Sequence, residues 1–367
     1  MSFFKKVLAV AVVASTVGSS LVVYRAIARG SHPLPTPEST LPLQRIAFGS
    51  CVHQDRPQPI WGPVASTSPD VFIMMGDNIY GDTQDMAVMR RKYDQQAGNP
   101  DYARFAARTP IIGIWDDHDY GVNDGGVEYP MKEPSKGLML DFFGEPQNTA
   151  RRSRPGVFES YVYGPPGRRT QIILLDTRWF RSRLLRGRVT MPPENEGEPD
   201  REINGYIPNP DPSSTLLGAE QWQWLEEQLR VPADVRFIGT SIQFTSEQHP
   251  YEKWSNFPHE RARLLGLLNR YGVTGKTIFL SGDRHHGELS CENGLCDLTS
   301  SGLSHGRSVP LRETNRHRVG AFDQGNHFGL VTIDWPDFGE NRPVRVHLEL
   351  RDGQGSPTSV SRVVELR

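Results

Sequence analysis

Four short stretches of this chain carry the kinds of side chain that hold metals. Ser50-Cys51 comes first, then Gly76-Asp77-Asn78-Ile79-Tyr80, then Asp116-Asp117-His118-Asp119, and far downstream Ser281-Gly282-Asp283-Arg284-His285-His286. Cys, Asp, Tyr and His delivered to one place by separate segments are how a protein builds a multinuclear metal site. An Asp directly after a strand can bridge two metals through its two oxygens, so Asp77 is a candidate bridge. Tyr80 could offer its phenolate to a hard trivalent ion such as Fe3+. Gly-Asp-Asn is also good turn chemistry, and alone this segment would read as a turn. Asp116, Asp117 and Asp119 crowd around His118. Like charges this close are tolerated chiefly when a cation neutralises them. Asn123-Asp124-Gly125-Gly126 adds hard oxygen donors suited to Ca2+, Mg2+ or Mn2+. Asp283 and His285 alternate on a turn and could face one site, with His286 as a supporting or surface residue. Arg178, in Leu174-Leu175-Asp176-Thr177-Arg178, could grip a phosphate with two parallel hydrogen bonds. It could equally pair with Asp176 or Asp116.

Buried strands would position these clusters. Arg45-Ile46-Ala47-Phe48-Gly49 leads into Ser50-Cys51, and Val71-Phe72-Ile73-Met74-Met75 into Gly76. Ile111-Ile112-Gly113-Ile114-Trp115 leads into Asp116, and Thr277-Ile278-Phe279-Leu280 into Ser281. Short apolar runs bounded by turn residues predict strands of a sheet covered on both faces. Ligands of such sheets bind beyond the carboxyl ends of the strands. Further strands are predicted at 158–163, 171–175 and 235–239, and near 328–334 and 344–350. Helices are predicted over 86–96, 134–143, 218–230 and 258–271. Alternating strands and helices followed by late strands give an α/β fold with mixed sheets. Gly 35 and Pro 29 imply long loops, concentrated at 121–137, 185–215 and 300–327. The 367 residues, 37% hydrophobic, suffice for a large core. A net charge of −2 argues against a generic nucleic-acid binder. The strip Arg178, Arg181, Arg183, Arg186 and Arg188 could still attract polyanions, or be a solvated loop.

The N-terminus stands apart. Lys5-Lys6 precede a largely apolar stretch from Val7 to Tyr24. A basic start followed by such a stretch reads as a signal peptide or a membrane anchor over residues 1–30. A Pro-rich linker at 31–42 follows, and 43–367 reads as one domain. The expected location is therefore exported, periplasmic or extracellular, with membrane anchoring through residues 7–24 as one form of it. Of the three cysteines, Cys291 and Cys296 flank Glu292-Asn293-Gly294-Leu295. Asn-Gly is a strong hairpin signal, so the two could close a disulfide, which suits an exported protein. Cys51 is then left over. It reads as a metal ligand, or as a small buried hydrophobe.

Taken in order, Phe-Gly-Ser-Cys at 48–51, Gly-Asp-Asn-Ile-Tyr at 76–80, Trp-Asp-Asp-His-Asp at 115–119, Leu-Asp-Thr-Arg at 175–178 and Ser-Gly-Asp-Arg-His at 281–285 resemble a known family. That family is the alkaline phosphatase D (PhoD-like) group of calcineurin-like metallophosphoesterases. The resemblance covers about residues 44–310. The second element also resembles purple acid phosphatases, but those carry Asp where Cys51 stands and Asn-His where Asp117-His118 stand. The resemblance implies a four-layer α/β/β/α sandwich of mixed sheets, metallophosphoesterase type. It implies Fe3+ held by Cys51, Asp77, Tyr80 and His285. Asp77 would bridge to a divalent ion also held by Asp117 and Asp283, with Asp116 and Asn123 as further ligands. Ca2+ is the expected divalent ion, with Mn2+, Mg2+ or Zn2+ as alternatives. His118 stands where the superfamily places its leaving-group acid or transition-state stabiliser. Gln243 lies where another of its motifs falls, and Trp254 either shapes the pocket or packs.

The implied function is that of an exported, metal-dependent alkaline phosphatase or phosphodiesterase, with metal-activated hydroxide attacking phosphorus in line and Arg178 stabilising the charge. Its substrates would be small phosphate mono- or diesters, phospholipids and nucleotides among them. No segment points to a protein partner. The contrasting reading is a non-catalytic metal-binding protein of the cell surface on the same fold.

Overall fold

The computed structural model describes residues 38–193, 197–308, 311–337 and 339–366. The leader, and most of the linker, lie outside the described residues. Among the described residues, no helix is long and apolar enough to cross a membrane.

The strands in chain order are β1 (Glu38–Ser39), β2 (Arg45–Gly49), β3 (Val71–Met75), β4 (Ile111–Ile114), β5 (Glu159–Tyr163), β6 (Thr170–Leu175), β7 (Arg186–Met191) and β8 (Arg201–Tyr206). They continue with β9 (Val235–Thr240), β10 (Thr277–Ser281), β11 (Gly287–Glu292), β12 (Leu295–Ser300), β13 (Arg318–Phe322), β14 (His327–Asp334), β15 (Val344–Asp352) and β16 (Pro357–Leu366). One sheet has the order β1-β5-β6-β9-β10-β12-β11-β13, and a second has β16-β15-β14-β2-β3-β4. Both are mixed. In the second, β2, β3 and β4 run parallel while β14, β15 and β16 alternate in direction. In the first, β6, β9, β10 and β12 are parallel, with antiparallel β5 and β11 beside them. The hairpin of β7 and β8 stands apart.

Strand period sorts the core into three interfaces. Ile73 and Met75 of the second sheet meet Ile172, Leu174, Phe237, Ile278 and Leu280 of the first in the central interface. The alternate residues Phe72 and Met74 face outward onto Trp61, Met89, Tyr102 and Leu138, from the helices Trp61–Ser66, Met86–Ala97, Pro100–Ala106 and Lys132–Phe142. Ile173, Leu175, Ile238 and Phe279 likewise pack on Trp222, Leu225, Leu264 and Leu268, from the helices Gly218–Leu229 and Pro258–Arg270. Three apolar interfaces separate four layers, helix, sheet, sheet and helix, as expected.

Some elements differ from the sequence expectation. The loop expected over 185–215 contains the β7–β8 hairpin, and the loop over 300–327 contains β13. The helix Pro100–Ala106 is capped by Asn99, whose side chain accepts from the Asp101 and Tyr102 amides, with proline at its start. That is a start signal present in the sequence. Cys291 and Cys296 pair across β11 and β12 and form the disulfide. Between them Asn293 and Gly294 both have positive φ, 49° and 85°, as a type I′ turn requires.

Candidate metal centre

Parallel strands end in register, and this brings the clusters together. Gly49 pairs with Met74, and Met75 with Ile114, so the residues that follow β2, β3 and β4 leave from one edge. The other sheet reaches the same edge. The Ser50 amide donates to the Ser300 carbonyl at 3.1 Å. Two glycines allow the close approach. A Cβ on Gly76 (φ +97°) would fall 2.4 Å from Asp116 Cβ, and one on Gly282 would fall 2.5 Å from Ser50 Oγ. The turns themselves are strained. Cys51, Asp77, Asp283 and His285 all have positive φ, as do Asp82 and Asp124 nearby. Non-glycine residues adopt this region at a cost of about 1–3 kcal/mol each, and they concentrate at functional sites.

The predicted ligands converge in linked groups. Donor atoms of Cys51, Asp77 and His285 all lie within 4.8 Å of one another. The same limit holds for Asp77, Asp117 and His118, for Asp116, Asp117 and Asp283, and for Asp117, Asp124 and Glu252. Asp77 belongs to two groups and Asp117 to three. Tyr80 joins the first group, its hydroxyl 2.9 Å from His285 Nε2. Cys51 Sγ lies 3.3 Å from Asp77 Oδ2 and 3.0 Å from Ser301 Oγ. One end of the cluster therefore offers sulfur, phenol and imidazole, and the other offers carboxylates.

The electrostatics ask for cations. Burial, then the Cys51 thiol, pushes Asp77 well above the usual carboxylate range. Burial and Asp116 do the same to Asp283. Asp116 is pushed up to about 7 by burial, with Arg178 opposing. Asp117 alone falls, to about 2, because Arg178 and His118 outweigh its burial. Burial raises Cys51 to about 11, and burial with His305 and Arg284 lowers His285 to about 3. A neutral imidazole is the form that binds metal. Asp116 Oδ2 is buried without a hydrogen-bond partner. That bare oxygen and the graded donor set fit metal ions, whose charge would reverse these shifts.

A prediction follows for metal-free protein. A carboxyl whose pKa is higher folded than unfolded penalises the fold once the pH exceeds its unfolded value. Asp116 rises from 3.8 to about 7, and Asp119 from 3.8 to about 8 through burial. Thermal denaturation in chelator should therefore show stability falling as pH rises from about 4 to about 8. Added metal should flatten the profile.

Several predicted residues take other places. Arg178 is fully buried, with Nε 2.6 Å from Asp116 Oδ1 and its other nitrogens paired with Asp116 and Glu252. Of the two roles open to it, the structural pair is the one formed, with Asp116 and extended to Glu252. Arg181 is also buried, near Glu252, so the basic strip keeps only Arg183, Arg186 and Arg188 on the surface. Asn123 is exposed, and its side-chain amide donates to Asp124 Oδ2. The Gln243 amide is held by Thr299, and Trp254 is core, donating to Thr240. His286 is buried and faces Glu288.

Other residues of the site take roles that the sequence alone does not indicate. Asp119 accepts from the Asp116 amide at 2.7 Å and the Asp77 amide at 3.1 Å, tying two clusters together. Asp82 meets His118 Nδ1 at 2.8 Å. Ser301 receives the His285 amide at 2.7 Å. The His53 ring stacks on Tyr80, and His305 packs on His285. Only Asp119 belonged to a recognised motif.

Comparisons with known proteins bear on the family and the fold. A model of the PhoD-like phosphatase family matches residues 146–291. "Alkaline phosphatase D" of Bacillus subtilis (strain 168) is 23% identical over 297 residues, covering 69% of this chain and 47% of that protein. The chain thus spans about half the length of this curated relative. A solved structure of PhoD superposes with TM-score 0.66 at 17% identity, covering 91% of this chain and 74% of the other. A purple acid phosphatase from yellow lupin (Lupinus luteus) seeds gives TM-score 0.57 at 13% identity, covering 90% of this chain and 55% of the other. At such identities the structures speak to the fold, which is of the metallophosphoesterase type.

Proposed function

We propose that this chain, which a model of the PhoD-like phosphatase family matches over residues 146–291, is a member of that family and hydrolyses phosphate esters at a centre of at least two metal ions. The observation that carries this reading is the sharing of Asp77 between a group with Cys51 and His285, which Tyr80 joins, and a group with Asp117 and His118, with Asp117 in turn shared with Asp116 and Asp283. On this reading Cys51, Asp77, Tyr80 and His285 hold Fe3+. Asp77, Asp116, Asp117 and Asp283 hold a divalent ion, with Ca2+ expected. Bound metal ions would supply Lewis acidity towards phosphate oxygens and water.

The chain's own residues do the rest. His118 is raised to about 10, because Asp77 and Asp82, with Asp117, outweigh its burial. Asp82 lies outside the proposed ligand set, so it goes on favouring the protonated ring when Asp77 and Asp117 are bound to metal. Asp82 engages Nδ1, which leaves the Nε2 proton for the departing ester oxygen. Asp119 fixes the backbone of Asp77 and Asp116. His118→Asn should cost about 10²-fold on an alkyl phosphate, whose leaving oxygen needs a proton. It should cost much less on p-nitrophenyl phosphate, whose leaving group needs none. Comparing the two rates checks the role.

The substrates are small mono- or diesters, including phospholipid and nucleotide esters. Export agrees with the leader composition and with the disulfide, which suits an oxidising compartment. A non-catalytic metal-binding protein would tolerate gaps in the ligand set, and here Cys51, Asp77, Tyr80, Asp116, Asp117, Asp283 and His285 are all present. The test is hydrolysis of p-nitrophenyl phosphate and bis-p-nitrophenyl phosphate, with and without chelator. Chelator-sensitive turnover is expected, and the ratio of the two rates sets mono- against diesterase. Failure to hydrolyse either ester by metal-loaded protein would overturn the reading. A visible absorption band that Tyr80→Phe abolishes or shifts would identify iron on the phenolate.

A further inference from the structure

Beside the metal centre lies a cavity of about 490 Å3, between the β7–β8 hairpin and the loop 247–253. Two nitrogenous side chains line it from the inside. His249 is 2% exposed, and neither ring nitrogen has a hydrogen-bond partner. Lys253 is equally buried, and its ammonium meets only carbonyl oxygens, Tyr251 at 2.9 Å and Tyr206 at 3.5 Å. Among the described residues no carboxylate contacts either side chain.

Among the described residues, the charged groups that act on His249 are cationic. Arg284, Lys253, His286 and Arg318 all act on His249, and all are cationic when charged. Nearby carboxylates are already engaged. Glu252 is taken by Arg178, Glu313 by Arg284, and Glu247 by Arg261 and Arg316. Arg188 adds a further cation at the exposed rim, and among the described residues the acids lining the cavity are Asp200 and Glu247, the latter paired with Arg261 and Arg316. Burial and Arg284 push the Lys253 amine down to about 7, with Glu252 opposing, and an imidazole buried without partners beside it is unfavourable. An oxyanion in the cavity would satisfy both.

The cavity shares a wall with the centre. Tyr206 lines the cavity, and its hydroxyl donates to Asp124 Oδ2 at 2.7 Å. The Asp124 amide in turn donates to Asp117 Oδ2 at 2.7 Å. Lys253 directly follows Glu252, which belongs to a ligand group with Asp117.

We propose that this cavity receives a second oxyanion of the substrate, a phosphate or carboxylate covalently attached to the ester that the centre hydrolyses, and that Lys253 and His249 select it. The proposal rests on the phosphoesterase reading and narrows its substrates to esters with two anionic groups.

The test uses the metal-loaded full chain and two substrates with the same leaving chemistry, propyl phosphate and propane-1,3-diyl bisphosphate, with release of inorganic phosphate as the readout. The native protein should prefer the bisphosphate, chiefly through a lower KM. Lys253→Met should reduce that preference about tenfold, the worth of one charge-assisted hydrogen bond. His249→Phe should reduce it about threefold. Both substrates are assayed on one preparation, so partial unfolding cancels from the ratio. If neither core variant folds, Arg188→Gln on the exposed hairpin should still lower the preference. Equal use of the two substrates by the native protein, or an unchanged ratio in the variants, would overturn the inference. Failure to hydrolyse either would instead overturn the phosphoesterase reading.

Discussion

Asp77→Asn should abolish hydrolysis and, in metal-free protein, raise stability. The two effects share one cause. Asp77 donates to both halves of the candidate centre, so losing its charge weakens both. Lewis-acid stabilisation of a phosphoryl transition state is worth several kcal/mol, and each decade of rate is about 1.4 kcal/mol, so a fall of about 10³-fold or more is expected. Stability should move the other way. Burial and the Cys51 thiol hold the carboxyl well above its usual range, so at pH 8 the fold either retains a proton there or buries an uncompensated charge. An amide of the same shape removes that penalty. Melting in chelator should occur about 2 °C higher in the variant, while the rise produced by added metal should shrink. A carboxylate that served only to hold the backbone would give the opposite pattern, lower stability with or without chelator. Activity assays and melting curves on the same protein separate the two.

The fold was legible where apolar runs are short and wholly buried. Val71–Met75 and Thr277–Ser281 have every residue buried, and a run of that kind ending in glycine has few other readings. The ligands follow immediately, so the strand ends and the centre could be read together. Half-exposed elements were harder to see. β7 carries Arg186, Arg188 and Thr190 on its exposed face, and β16 is open along most of its length. Their stability comes from pairing partners far along the chain, which no local pattern records. The same limit explains the missed site residues. Glu252 sits in a loop without periodicity, and its importance lies in an ion pair with Arg178 formed only by the fold. His53 and His305 meet across Tyr80 and His285 by stacking, a contact without a spacing rule. Asp119 was visible as an acid but not as a tie, because its role depends on the amides of Asp77 and Asp116 arriving beside it.

Arg178→Met should act on stability far more than on substrate affinity. The guanidinium is fully buried, with Asp116 on one side and Glu252 on the other. Breaking such a pair by removing one partner leaves uncompensated buried charge and costs about 3–5 kcal/mol. For a domain of this size that is a drop in melting temperature of about 10 °C. Arg178→Lys should recover only part of the loss, since an ammonium cannot reach two carboxylates with a planar fork. The triple substitution Arg178→Met, Asp116→Asn, Glu252→Gln should recover more, because replacing a whole buried ionic group is far less harmful than breaking it. Kinetics complete the test. A phosphate clamp would show as a raised KM with little change in melting temperature. The buried pair predicts a lowered melting temperature, and whatever activity remains in the folded fraction should keep a KM close to that of the native protein. Asp116 adds one further consequence. With Arg178 gone, the largest influence lowering its pKa disappears, so the metal-free variant should lose stability with rising pH over a wider range than the native chain does.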